Sequence, residues 1–176
     1  MLLFGDEASF PQWGTLTYTW AGRGQQPQVK TSGKRKGSKV CGLIEYFTGC
    51  LFSQGQEGRL NSTAFIAFLR GVREQTTHPI ILMQDGARYH TSAETNAFFT
   101  QQAARLQVCQ LPTYAPDYTP IEKLWKKMKQ QDTHLHSFPT FAALTDKVEQ
   151  ALLKFANILE EILALCRLPT ELAQAA

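Results

Sequence analysis

Apolar and polar positions along this chain change period several times, and each change marks an element. Leu2, Leu3 and Phe4 form a short apolar run that leads into Asp6, and Pro11, Gly14, Gly22 and Gly24 follow. The pattern predicts a strand running into a long irregular excursion, with TLTYTW, Thr15–Trp20, as a candidate strand inside it. VCGLIEYF, Val40–Phe47, and GCLFSQG, Gly49–Gly55, are β-prone runs with almost nothing between them. They predict an antiparallel hairpin turning near Thr48–Gly49. Asn61 reads as an N-cap, with Phe65, Phe68, Leu69 and Val72 at helical spacing behind it and an end near Gln75. PIILMQD, Pro79–Asp85, is a continuous apolar run that closes on an acid and Gly86, the pattern of a buried strand whose last residue emerges at the sheet edge. A polar helix over Ser92 to Ala104 and a short strand, Leu106–Gln110, complete this part.

Pro112, Pro116 and Pro120 then hold an extended loop, and a helix opens at Pro120 or Ile121. Beyond Phe138 the apolar positions Phe141, Leu144, Val148, Leu152, Phe155, Leu159, Ile162 and Leu165 recur every three or four residues, which predicts one long helix or two in series. The near-heptad stripe Phe141, Val148, Phe155 and Ile162 has two uses, covering its own domain or pairing with a second copy as a homodimer, and the first is preferred. The order is strand, hairpin, helix, strand, helix, strand, helix and terminal helices. This is an α/β domain over 1–130 with a C-terminal helical extension over 131–176 packed on it.

A length of 176 residues with 43% hydrophobic and 19% charged positions fits that single globular unit. The net charge of +3 is too small to prove a polyanionic partner, so the position of the charges matters more than their sum. From Arg23 to Lys39 the chain carries Arg23, Lys30, Lys34, Arg35, Lys36 and Lys39 and no acid, which predicts a basic loop. A second cluster, Lys123, Lys126, Lys127 and Lys129, follows Glu122. Cys41, Cys50, Cys109 and Cys166 show no paired spacing and read as buried reduced thiols. No run reaches the roughly 18 apolar residues of a membrane span, so a soluble intracellular protein without a membrane partner is expected.

Three acids occupy unusual places: Asp6 on the first strand, Asp85 at the end of a buried strand and Glu122 in the first turn of a helix. If the first and fourth strands are neighbours, Asp6 and Asp85 lie side by side, and a helix packed on the same edge adds Glu122. Clustered carboxylates repel one another unless a cation lies between them. Oxygen-only ligands suit Mg²⁺ or Mn²⁺, and two such ions about 3.5–4 Å apart support in-line phosphoryl displacement. Each acid alone has an ordinary alternative, Glu122 as partner of a helix dipole and Asp6 or Asp85 as turn formers. Glu7 should face the opposite side of the sheet from Asp6 by strand alternation. His90 is a candidate for contacting DNA phosphate or orienting an acid, or else a capping histidine. Trp125 reads as a core anchor for its helix.

FGDEASF, ILMQDGARYH and LPTYAPDYTPIEKLWKKMK resemble, in order and spacing, the catalytic motifs of the DDE transposases of the insertion sequence 630 group, relatives of the mariner transposases. Thirty-six residues separate Asp85 from Glu122, close to the gap typical of that group. Gly86 and Thr119 stand where the family commonly has Asn. The resemblance, over about residues 1–130, implies a ribonuclease H-like fold with a mixed five-stranded sheet flanked by helices. It further implies Asp6, Asp85 and Glu122 as catalytic acids and as ligands of two Mg²⁺ or Mn²⁺ ions, and transposon ends and target DNA as substrate. Arg23, Lys30, Lys34, Arg35, Lys36, Lys39, His90, Lys123, Lys126 and Lys127 are then candidates for DNA contact. Because the chain starts on the strand of Asp6, a helix-turn-helix segment encoded upstream is expected as a partner. Two alternatives remain open on the same fold: a ribonuclease H or junction-resolving nuclease, and an inactive DNA-binding remnant.

Overall fold

The computed structural model describes residues 1–13, 15, 19–28, 31, 33–112 and 119–166. Five strands form one mixed sheet: β1 (Leu2–Pro11), β2 (Gly37–Glu45), β3 (Leu51–Gln56), β4 (Ile80–Gln84) and β5 (Leu106–Gln110), in the order β3-β2-β1-β4-β5. The first three pair antiparallel, whereas β1 with β4 and β4 with β5 pair parallel. The helices are α1 (Ser62–Glu74), α2 (Ala93–Gln102), α3 (Pro120–Met128), α4 (Phe141–Ala156) and α5 (Leu159–Cys166). The first strand is longer than the apolar run Leu2–Phe4 suggests. It continues through both acids to Pro11 because β2 lies alongside it for its whole length, from Leu3 opposite Glu45 to Pro11 opposite Gly37. Asp6 is therefore in mid-strand.

Alternation along β1 and β2 feeds two cores, one on each side of the sheet. Leu3, Cys41 and Leu43 meet Phe65, Phe68, Leu69 and Val72 of α1, together with Leu82 of β4 and Phe98 of α2. Ala8, Phe10, Val40 and Ile44 meet Ile121, Leu124 and Trp125 of α3 and Leu144, Val148, Leu152 and Phe155 of α4. Each such side chain taken from water contributes about 1.5–3 kcal/mol, so the terminal helices share the core of the sheet itself. The stripe Val148, Phe155 and Ile162 turns inward, with exposures of 1%, 0% and 0%, and Phe141 packs partly buried beside it. This is intramolecular cover. Two helices in series form it, α4 ending at Ala156 with Asn157 as its C-cap before α5 begins.

Local chemistry sets the boundaries. Asn61 and Thr140 cap α1 and α4 by accepting the Ala64 and Ala143 N–H groups at 2.9 and 3.1 Å. Ser92 caps α2 through Thr95 N–H, and Pro120 opens α3, where its missing N–H has no cost. The β2–β3 turn closes at Gly49, whose φ of +72° suits glycine. The carboxylate of Glu45 accepts the N–H groups of Leu2, Phe47 and Thr48 at 3.3, 3.0 and 2.6 Å. Burial raises its pKa, but those bonds and the Thr48 hydroxyl outweigh it and hold Glu45 below the usual carboxylate range. At the far end of β1, Gln12 Nε2 donates to Phe138 O, and Phe138 N–H donates to Gln12 O, each at 3.1 Å.

Two expectations need correction, and a third lies outside the described residues. The basic stretch is not loop to its end, since Lys39 lies in β2 opposite Ser9 and Gln56. The four cysteines are free, but only Cys41 and Cys166 are buried, while Cys50 and Cys109 are partly exposed because they sit at the hairpin turn and on the edge strand β5. The candidate strand Thr15–Trp20 runs through residues outside the described ones, as does Lys30; Thr15 itself bridges to His134. No described helix is long and apolar enough to cross a membrane.

Candidate active site

Two parallel strands and one helix deliver the three acids to one edge. Phe4 stands opposite Met83 in the β1–β4 ladder, and two residues further on each strand are Asp6 and Asp85. Asp6 has the parity of Ala8 and Phe10 and so faces the α3 side, while Glu7 has the parity of Leu3 and faces α1 and α2. Directly across β1, Asp6 is paired with Gly42 of β2. A Cβ at Gly42 would lie 2.5 and 2.7 Å from Trp125 Cζ2 and Cη2 and 3.0 Å from Ile121 Cδ1. The indole therefore rests on bare backbone beside Asp6. Trp125 is 4% exposed and meets Phe10 edge-on at 6.5 Å, which confirms it as the anchor of α3. Glu122, one turn earlier and exposed, is carried to the same edge.

The electrostatics record that convergence. Burial pushes the Asp6 carboxyl up to about 7; the Glu7 backbone N–H offsets part of this, and the charges of Glu7, Glu122 and Asp85 add to it. An acid half-protonated near neutral pH is a group awaiting positive charge. Burial likewise pushes the Cys41 thiol up to about 12, with Glu7 and Asp6 contributing, so this thiol is inert.

His90 joins the two faces of the sheet edge. Its side chain is 1% exposed, with Nε2 at 3.0 Å from Glu7 Oε1 and Nδ1 at 2.8 Å from Asp85 Oδ1. Carboxylate oxygens only accept, so both contacts are satisfied together by the doubly protonated ring. Burial works against that charge, but the hydrogen bond and charge of Glu7, then the charge and backbone carbonyl of Asp85, prevail and raise the His90 pKa. Phe65 and Tyr89 flank the ring, each with its centroid 4.4 Å away. The Tyr89 hydroxyl is held protonated by burial first and then by its bond to Glu7. The partnership of Glu7, Tyr89 and His90 is the part of the site that sequence reasoning missed. Its traces in the sequence are the predicted opposite facing of Glu7 and the reading of His90 as a residue that orients an acid.

The donor set suits a hard divalent cation, being oxygen-only and short of positive charge. Among the described residues, no three His, Cys, Asp or Glu side chains converge closely enough to grip an ion as they stand. The basic candidates divide. Arg23, Lys34, Arg35, Lys36 and Lys126 are exposed, with Lys36 Nζ also 5.6 Å over the Phe141 ring. Lys127 pairs with Glu161 of α5, Lys123 Nζ donates to Leu165 O at 3.5 Å, and Lys129 lies over the Phe10 ring. Three of the four lysines after Glu122 thus hold α5 or cover the core.

Residues 1–145 match the profile of the family described as DDE superfamily endonuclease. No curated protein matches the chain by sequence. Among solved structures, the Mos1 strand transfer complex aligns with a TM-score of 0.63 at 16% identity, covering 94% of this chain and 54% of that one. The Mos1 mariner paired-end complex with Mn gives 0.63 at 15%, covering 94% and 55%. The Mos1 transposase catalytic domain with Raltegravir and Mg gives 0.58 at 13%, covering 94% and 83%. The chain spans about half the length of the first two, and at these identities the likeness is one of fold alone, the ribonuclease H-like one.

Proposed function

The chain belongs to the DDE superfamily endonuclease family, and on that premise we propose that it cleaves DNA at the ends of a mobile element and joins the freed 3′ ends to target DNA. The observation that carries this is the delivery of Asp6, Asp85 and Glu122 to one sheet edge by β1, the end of β4 and the first turn of α3. Asp6, Asp85 and Glu122 would hold two Mg²⁺ or Mn²⁺ ions. Those ions, when bound, activate an attacking oxygen and stabilise the departing one in an in-line displacement at phosphorus.

The chain's own residues do the rest. Asp6, fixed in mid-strand, gives up its proton as positive charge enters the site. Glu122 is set at its height by the Trp125 ring on Gly42. The exposed Arg23, Lys34, Arg35, Lys36 and Lys126 supply the countercharge that holds a phosphate backbone near the acids. No covalent bond between protein and DNA is required.

The test is a nicking and strand-joining assay on DNA carrying element ends, with Mg²⁺ or Mn²⁺ and with EDTA. Activity should need the metal and vanish in Asp85→Asn. Equal activity in that variant removes Asp85 from the site, and preference for an RNA–DNA hybrid over element ends would move the assignment to ribonuclease H chemistry.

A further inference from the structure

Glu7 and His90 are not among the three proposed metal-holding acids, yet they form a hydrogen-bonded chain that ends on one of them, Asp85. Asp85 has a side chain 62% exposed, whereas His90 and Glu7 are 1% and 15% exposed. On Asp85, Oδ1 accepts both the Ala87 N–H at 3.0 Å and His90 Nδ1 at 2.8 Å. Oδ2 has no hydrogen-bond partner among the described residues. His90 cannot turn away, since Nε2 is tied to Glu7, the ring is flanked by Phe65 and Tyr89, and its backbone N–H is bound to Ala87 O at 2.9 Å. Glu7 is in turn fixed by the rigid centre of the sheet.

We propose that Glu7 and His90 are positioning residues for Asp85: Glu7 holds the imidazole of His90, His90 holds Oδ1 of Asp85, and Oδ2 is thereby the single oxygen offered to a cation. This rests on the proposed metal-dependent nuclease function. A carboxylate at the free end of a strand otherwise rotates about χ1 and χ2, and fixing it before the ion arrives removes that entropy from binding. It also explains two adjacent acids on one strand, Asp6 serving the metal face and Glu7 the opposite one.

Mn²⁺ affinity of the whole chain, read by electron paramagnetic resonance of the free ion, tests this without reference to turnover. In His90→Asn the amide reaches the position of Nδ1 and retains the Asp85 contact, while His90→Gln reaches toward Glu7 and abandons Asp85. His90→Gln should weaken Mn²⁺ binding about 10- to 100-fold, and His90→Asn should stay near wild type, with similar melting temperatures for the two. Equal Mn²⁺ affinity in both variants, or losses that follow melting temperature alone, overturns the positioning role. Glu7→Gln should weaken binding less than Asp85→Asn; loss as complete as in Asp85→Asn makes Glu7 a ligand and overturns it too. If Asp6→Asn and Asp85→Asn leave Mn²⁺ binding intact, the metal assignment itself fails, and this role with it.

Discussion

Gly42→Ala tests whether the seat of Trp125 sets the height of Glu122. The added Cβ would stand 2.5 Å from Cζ2 and 2.7 Å from Cη2 of the indole, where carbon atoms normally rest about 3.5–4.0 Å apart. The ring and the helix behind it must retreat by about 1 Å. Overpacking of this kind costs about 1–3 kcal/mol, and alanine regains about 0.5–1 kcal/mol over glycine within a strand. A net loss of up to about 2.5 kcal/mol corresponds to a fall in melting temperature of up to about 10 °C for a chain of this size. The catalytic effect should be larger, because displacing a reacting group by about 1 Å lowers rate about 10²-fold. Thermal melting and metal-dependent nicking measured together give both numbers. Gly55→Ala is the control, since its Cβ meets nothing within 4 Å. Adding Trp125→Phe, which removes the two clashing atoms, should restore much of the loss in Gly42→Ala. Melting and nicking unchanged in Gly42→Ala would refute the claim that this contact places Glu122.

Stability without divalent metal should depend on Asp6. Its pKa is raised from 3.8 to about 7, so the contribution it makes when protonated is complete below about pH 4 and is lost as pH rises through 7. Melting temperature in EDTA should therefore decline between pH 4 and 8, less in Asp6→Asn, and Mg²⁺ should restore it at pH 8; a decline identical in Asp6→Asn contradicts this. Gly49→Ala should destabilise the β2–β3 turn, since its φ is +72° and a Cβ would stand 2.7 Å from Leu159 O. A loss of about 1–3 kcal/mol in urea denaturation is expected, and an unchanged midpoint would show that α5 does not press on this turn.

Much of the fold, and the placement of the candidate acids, was legible because local chemistry wrote it. Asn61 to Gln75, Leu106–Gln110 and the helix opening at Pro120 carry caps, breakers and periodicity within a few residues of their own boundaries. Asp85 announced itself as the acid closing an apolar run. What stayed hidden depends on partners distant in sequence. His90 and Glu7 are 83 residues apart, and no period links them. The continuation of β1 past its acids depends on β2, some thirty residues on. The lysines after Glu122 read as a basic face because α5, which engages Lys123 and Lys127, lies beyond the range of any local pattern.

The reciprocal bonds between Gln12 and Phe138 join residues 126 positions apart, and they close the strand that carries Asp6. That strand also waits for β4 on one side and for α3 and α4 above it. Closing so long a loop comes late in folding, after local helices and hairpins have formed. A chain emerging from the ribosome therefore makes its β2–β3 hairpin and α1 early and assembles its acids last. Until Phe138 and α4 have been synthesised, β1 lacks its cover on that face, and the three acids are not assembled until nearly all of the described chain exists.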